Sequence, residues 1–238
     1  MKVTAVIPAR YESSRFPGKP LVDIAGKPMI QRIYEQVRDC PDIDDVLIAT
    51  DDERISAAAE SFGARVVMTS PECRSGTDRV AEAAKGLDAD ALINVQGDQV
   101  VIDQDALSRI TGELRRGCAM VTVATHALEA DCHDPNCVKV VITRDGYALY
   151  FSRSLIPYPR VDTGFRPLKH IGIYGFSAET IQRFTSLEPT ALEMTESLEQ
   201  LRALENGIPI RVVIASGENL EINTPEDREK VLTSWREY

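Results

Sequence analysis

The sequence predicts an α/β fold: a mainly parallel central sheet with helices on both faces, interrupted by an inserted antiparallel sub-sheet over roughly residues 138–176. Three observations lead there. Through the first half of the chain, short β-branched runs alternate with amphipathic stretches, the order expected of parallel strands joined by crossover helices. The runs are continuously apolar rather than alternating, which suits strands covered on both faces. After about residue 137, strand-like runs follow one another with no helix between them. The 238 residues, 43% hydrophobic and 27% charged, are read as one domain over 1–238.

In order, Val3–Ile7, Val46–Thr50, Arg65–Met68, Ala91–Val95 and Met120–Ala124 read as buried strands. The first helix opens with Pro28 in its first turn and carries Ile30, Ile33 and Val37 on one face. A second starts near Asp52 and runs through Ile55, and a third follows Thr77 with Val80 and Ala84. Val138–Ile142, Tyr147–Phe151 and Ile171–Phe176 form the antiparallel part, with Asp145-Gly146 as a hairpin turn. Pro157–Pro167, with three prolines and a glycine, reads as an extended loop. Helices are predicted near 178–187 and 192–206, then a strand at Ile210–Ile214. Thr224-Pro225-Glu226-Asp227 announces a last helix through its cap, first-turn proline and acids facing the helix dipole.

Charge narrows the function. The net charge of −10 argues against a nucleic-acid or membrane-surface partner, since both recruit Lys and Arg. It is unevenly spread: residues 1–40 hold seven basic and four acidic side chains, so that segment is +3 and the remainder −13. No apolar run reaches the length of a membrane span and no cleavable leader pattern precedes the first strand, so a cytoplasmic location is expected. Five cysteines, an odd number scattered through a long chain, suit reduced thiols. Cys132, His133 and Cys137 lack a second pair at zinc spacing and read as loop residues.

Ligands of open α/β sheets bind at the carboxyl ends of strands. The first such end, Pro8 to Pro20, places Arg10, Arg15 and Lys19 in a loop with small residues and Gly18. Arginine forks, a lysine point charge and backbone N–H groups suit a polyphosphate, and a solvated basic turn is the plain alternative. There is neither a P-loop nor a G-x-G-x-x-G pattern, which excludes the corresponding NTPase and dehydrogenase classes.

Ile7-Pro8-Ala9-Arg10-Tyr11 followed by Ser14-Arg15-Phe16-Pro17-Gly18-Lys19-Pro20-Leu21 closely resembles the start of CMP-Kdo synthetases, the 3-deoxy-manno-octulosonate cytidylyltransferases. The resemblance continues through Ser75-Gly76-Thr77-Asp78-Arg79, Asn94-Val95-Gln96-Gly97-Asp98, Ala148-Leu149-Tyr150-Phe151-Ser152-Arg153, His170-Ile171-Gly172-Ile173-Tyr174, Glu196 to Arg202 and Thr224-Pro225-Glu226-Asp227. It spans essentially the whole chain in order. It implies a Rossmann-like nucleotidyltransferase fold, a homodimer built through the antiparallel sub-sheet, and Mg²⁺-dependent transfer of CMP from CTP to the anomeric hydroxyl of a 3-deoxy-2-ulosonic acid, with a place in lipopolysaccharide biosynthesis. Arg10, Arg15 and Lys19 match the phosphate-binding loop, and Ala9, Arg10, Ser75 and Gly76 match positions lining the nucleoside. Arg15, Lys19 and Asp98 are thereby the catalytic candidates, with Asp98 a metal ligand. Gln96, Arg153, His170, Tyr174, Glu199 and Gln200 fall in segments that hold the acceptor. Each has a plain structural reading as well. His170 and Tyr174 share a strand face and suit a core, Glu196, Glu199 and Gln200 suit an exposed helix face, and Asp98 suits a turn.

Two departures stand out. The family's frequent Gln-Gly-Asp-Glu-Pro is here Gln96-Gly97-Asp98-Gln99-Val100, which resembles the subset acting on the 8-amino analogue. The usual Val-Asp-Thr-Pro-Glu-Asp, whose first Asp is a metal ligand, is here Ile222-Asn223-Thr224-Pro225-Glu226-Asp227. Asn223 offers an oxygen without charge, and Glu221, on the same face of an extended segment, is an alternative carboxylate. The readings left open are CMP transfer to Kdo, transfer to 8-amino-Kdo or another small oxyacid or phosphonate, and a CTP-binding regulatory paralogue with weakened catalysis.

Overall fold

The computed structural model describes residues 1–12, 16–217 and 219–235. β1 (Val3–Ala9) is buried along its whole length, as a chain of small and β-branched residues covered on both faces must be. A 3₁₀ turn at Lys19–Leu21 and the two-residue strands β2 (Asp23–Ile24) and β3 (Lys27–Pro28) lead into α1 (Met29–Arg38), which turns Met29, Ile30, Ile33, Tyr34 and Val37 inward. β4 (Asp45–Thr50), α2 (Glu53–Ser61), β5 (Arg65–Met68), α3 (Gly76–Ala84) and β6 (Ala91–Val95) complete the expected alternation. Two elements follow that the sequence reading did not name: the short strand β7 (Gln99–Val101) and the helix α4 (Gln104–Arg115), with Leu107, Ile110 and Leu114 buried.

β8 (Met120–His126) and the one-turn α5 (Glu129–His133) lead to the antiparallel part: β9 (Lys139–Ile142), β10 (Ala148–Ser152) and β11 (Leu168–Ser177). α6 (Ala178–Ser186), α7 (Ala191–Glu196) and α8 (Gln200–Glu205) precede β12 (Ile210–Ile214), β13 (Leu220–Glu221) and the capped α9 (Pro225–Ser234). The single helix expected over 192–206 is therefore two. Ser197 sits in the left-handed region at φ 53°, Leu198 turns into the core, and Arg202 of α8 reaches back to Glu193 of α7 at 2.5 Å.

The main sheet runs β5-β4-β1-β6-β11-β8-β12, with the β9–β10 hairpin joined to the beginning of β11. β1 pairs parallel with β4 and β6, β4 with β5, and β8 with β12, while β11 lies antiparallel between β6 and β8. The period-two alternation of the strands divides the core into two layers. Val3, Ala5 and Ile7 of β1 pack with Ile30, Ile55 and Leu107 beneath α1, α2 and α4, while Val6 packs with Val80, Ile181 and Leu201 beneath α3, α6 and α8. Each fully buried aliphatic side chain contributes about 1.5–3 kcal/mol to this core. Among the described residues no helix is long and apolar enough to cross a membrane.

Candidate active site

The carboxyl ends of β1 and β6 lie side by side, and the groups that follow them line one cleft of about 170 Å³. β1 delivers Ala9 and Arg10, and β6 delivers Gln96, Gly97 and Asp98. Lys19 and Asn223 enter from the flanking loops, and the start of α3 adds Ser75 and Gly76. The close approach depends on glycine: a Cβ on Gly97 would lie 2.7 Å from the Pro8 carbonyl oxygen, and one on Gly76 would lie 2.8 Å from Gln96 Oε1. α3 opens with a capping box in which Ser75 Oγ accepts from the Asp78 N–H and Asp78 Oδ2 accepts from the Ser75 N–H, each at 3.1 Å. Arg79 also lines the cleft, but its guanidinium is committed to Asp51 at 2.9 Å and to Thr69 Oγ1 at 2.5 Å.

At the floor, Lys19 Nζ lies 3.4 Å from Asp98 Oδ2 and donates to the Ile222 carbonyl at 2.9 Å. The Ile222 N–H donates to the Asp98 carbonyl, so the segment after β13 is stitched to the segment after β6. β13 pairs with β7, setting Glu221 opposite Gln99. Gln99 Nε2 donates to Glu221 Oε1 at 2.6 Å and Asn223 Nδ2 donates to Glu221 Oε2 at 3.2 Å. Glu221 keeps access to solvent. Its carboxyl is nevertheless partly desolvated, and with the nearby Asp98 charge this raises its pKa. Gln99 is buried and its Oε1 has no hydrogen-bond partner among the described residues. Asp98 and Asn223, which both line the cleft, carry hard oxygen donors of the kind that Mg²⁺ takes, so these residues fit such an ion.

A second polar group lies on the other side of Ser75. Thr77 Oγ1 donates to Glu199 Oε1 and accepts from Asn94 Nδ2 at 3.2 Å, and the Ser75 hydroxyl also bonds Glu199. Burial raises the Glu199 pKa against these hydrogen bonds. Tyr174 is buried, and desolvation together with the Glu199 charge holds its phenol well above the ordinary tyrosine range. The His170 ring lies tilted 5.4 Å from Tyr174 and edge-on 5.1 Å from Phe151, and burial pushes its pKa down to about 3. A two-residue bulge in β11 between Ile171 and Tyr174 keeps His170 and Tyr174 on one face, opposite Ala124 and Thr122 of β8. Thr122 Oγ1 donates to the Ile173 carbonyl, so its contact at 2.9 Å with His170 Nε2 requires the imidazole to donate from that nitrogen. Nδ1 is then left as an acceptor. Asn94 Oδ1 and Gln200 Nε2 are buried without partners among the described residues.

The structure thus gathers Ala9, Arg10, Lys19, Ser75, Gly76, Gln96, Asp98 and Asn223 around one cleft. It sets His170, Tyr174 and Glu199 together beside it, with Gln200 following Glu199 at the start of α8. Arg153 is not among the cleft's lining residues: its guanidinium donates to the carbonyls of Glu196 (2.6 Å), Pro135 (2.9 Å) and Ser197 (3.2 Å). Glu196 and Glu199 do not share a helix face, because the chain turns at Ser197. Arg15 lies outside the described residues. The sequence reading missed Thr77 and Asn94, although an asparagine inside an otherwise aliphatic strand was a signal of a buried polar link.

A family model described as cytidylyltransferase matches residues 4–214. An 8-amino-3,8-dideoxy-manno-octulosonate cytidylyltransferase of Shewanella sp. (strain W3-18-1) is 48% identical over 237 residues, covering 97% of each chain. The chain belongs to the cytidylyltransferase family. A second relative of the same description, from Shewanella baltica (strain OS155 / ATCC BAA-1091), is 46% identical to this cytidylyltransferase over the same share of both chains. A solved CMP:2-keto-3-deoxy-manno-octonic acid synthetase complexed with CTP superposes with a TM-score of 0.96 at 40% identity, covering 100% of this chain and 99% of that one. A 4-diphosphocytidyl-2C-methyl-D-erythritol synthase from Anaerococcus prevotii, 16% identical with a TM-score of 0.65, shares the fold alone. The nucleotidyltransferase fold and the nucleotidyltransferase class expected from the sequence are both met.

Proposed function

We propose that this cytidylyltransferase transfers CMP from CTP to the anomeric hydroxyl of a 3-deoxy-2-ulosonic acid of the Kdo type, and that the 8-amino form is its preferred acceptor. One observation carries the reading: the cleft at the ends of β1 and β6 combines basic groups, a helix N-terminus and the Lys19–Asp98 pair. The names of the Shewanella relatives support the amino acceptor, and the CTP complex of the structural neighbour supports the nucleotide.

In this reaction a bond forms between the acceptor oxygen and the α-phosphorus, the α–β bridge breaks, and pyrophosphate leaves in line while the hydroxyl proton passes to solvent. Arg10, Lys19 and, by resemblance, Arg15 neutralise the triphosphate and the charge that gathers on the leaving group. The N–H groups opening α3 face the same cleft and favour negative charge there. Asp98 would hold Mg²⁺, which when bound supplies charge neutralisation across the phosphate oxygens. On the acceptor side, Gln96, Glu199 and Gln200 offer hydrogen bonds to hydroxyls. His170, neutral at physiological pH, offers an acceptor nitrogen rather than a charge. Arg153, three of whose N–H groups hold backbone carbonyls, retains two for a carboxylate. Holding both reactants in register is the largest service such a site performs.

Pyrophosphate release from CTP and Mg²⁺, compared for Kdo and 8-amino-Kdo, tests the proposal. Release with 8-amino-Kdo at a higher kcat/KM than with Kdo is expected. CTP binding without release on any 3-deoxy-2-ulosonic acid would refute it and favour the regulatory paralogue. A homodimer belongs to the same proposal, supported by Leu149, Tyr158, Val161 and Phe165 standing exposed around the antiparallel part. Sedimentation at micromolar concentration should give twice the chain mass, and a monomer would remove that part.

A further inference from the structure

We infer that Arg54, at the start of α2, is a positioning residue for the nucleotide: aimed by Asp52 and stacked on Tyr11, it clamps the base of the loop that sets Lys19 in the cleft. The inference rests on the nucleotide reading above. Its first support is the closure of that loop on itself. The Gly18 N–H donates to the Tyr11 carbonyl at 2.9 Å, and the Lys19 N–H donates to the Phe16 carbonyl at 3.2 Å. Tyr11 directly follows Arg10, and Gly18 directly precedes Lys19. One backbone bond therefore ties together two cations that line the cleft.

The second support is the seat of the Tyr11 ring. Gly18 is buried in the left-handed region at φ 71°, and a Cβ there would lie 3.2 Å from Tyr11 Cζ and Oη. The ring occupies the space that a side chain at position 18 would need, so its place and the approach of Lys19 are set together. Tyr11 also packs, half-buried, against the apolar layer that includes Ile30 and Ile55.

The third support is what holds the ring from outside. The Arg54 guanidinium carbon stands 3.3 Å from the centre of the Tyr11 ring, whereas four other arginine–aromatic contacts lie at 5.1 to 5.8 Å. Asp52 aims this guanidinium: Oδ1 accepts from Nε at 3.0 Å and Oδ2 accepts from Nη2 at 2.6 Å. The same Oδ1 caps α2 by accepting from the Arg54 N–H at 2.9 Å. These bonds hold the Asp52 carboxyl below its ordinary range. A planar fork can bond a carboxylate along its edge and stack on a ring with its face. Arg54 is exposed, so it fills no core space; what it fixes is the ring, and through the ring the loop. A loop that is already held loses less freedom when it takes an anion, and binds it more tightly for that reason.

The test is calorimetric binding of CTP and of CMP to the full chain. Arg54→Ala should weaken CTP about fivefold and CMP, which lacks the β- and γ-phosphates, by less than about twofold, with the urea midpoint unmoved. Tyr11→Leu should weaken CTP by a similar factor. Adding Arg54→Ala to it should cost less than about twofold more, because both act through one contact. Should Tyr11→Leu fail to fold by circular dichroism, Asp52→Asn takes its place in the cycle, since it keeps an oxygen for the cap and loses the charge that aims the fork. Unchanged CTP affinity in Arg54→Ala, equal losses for CTP and CMP, or full additivity in the cycle overturns the inference while leaving Lys19 as a phosphate-binding group. Unchanged CTP affinity in Lys19→Met overturns the nucleotide reading of the loop itself, and the inference with it.

Discussion

Acidification should destabilise this protein through His170. Its imidazole lies against Phe151 and Tyr174 and its pKa falls from 6.5 to about 3, so the folded chain keeps it neutral where the unfolded chain protonates it. Above pH 6.5 both states are neutral and the residue adds no pH dependence. Between pH 6.5 and 3 the unfolded state binds nearly one proton more, so stability falls with falling pH by about 1.4 kcal/mol per unit. Integrated from pH 8 to pH 5, the loss attributable to His170 is about 2 kcal/mol. Urea unfolding at the two pH values, for the wild type and for His170→Gln, isolates it, since the contributions of other groups cancel in the difference. The variant should lose about 2 kcal/mol less than the wild type over that interval. Equal losses would show that His170 accepts its proton in the folded state, and the assignment of a neutral acceptor nitrogen to the sugar side would fall with it.

Three further outcomes follow from the geometry. Gly97→Ala pushes a methyl to 2.7 Å from the Pro8 carbonyl and must part the ends of β1 and β6. It should cost about 1–3 kcal/mol in urea unfolding and at least tenfold in kcat/KM for pyrophosphate release. Thr77→Val removes the donor to Glu199 and the acceptor for Asn94, and should raise the acceptor KM about tenfold while calorimetric CTP binding stays within twofold. Lys139→Met strips buried donors from the carbonyls of Asp134, Cys137 and Arg153 and should destabilise the fold by about 3 kcal/mol, read as a lower urea midpoint.

The parallel half of the sheet was legible because its signal is local. Arg65–Met68 and Ala91–Val95 are strands with the bounds read from their aliphatic runs, and β1 and β8 only run two residues further. The cleft was legible because loops after β1 and β6 carried their chemistry in recognisable runs. What stayed hidden depends on contacts distant in sequence. Nothing in Glu193 to Arg202 announces that Ser197 adopts a left-handed conformation, a choice set by burying Leu198 and pairing Arg202 with Glu193. β7 and β13 are too short to show a period, so their pairing, and the grip of Gln99 and Asn223 on Glu221, appear only in the fold. α4 was readable from Leu107, Ile110 and Leu114 and was passed over.

The bond from Lys19 to the Ile222 carbonyl spans 203 positions of sequence. During synthesis, every strand of the main sheet has been made by Ile214, yet the floor of the cleft still lacks the residues that close it. A nascent chain can therefore possess its whole main sheet before it possesses its chemistry, while Ile222 and Val231 have yet to join the core. A cut after β12 would likewise leave every strand of the main sheet and the basic groups, but no fastened floor and a core without Ala215, Ile222 and Val231. Such a remnant would hold a nucleotide poorly and spend none of it.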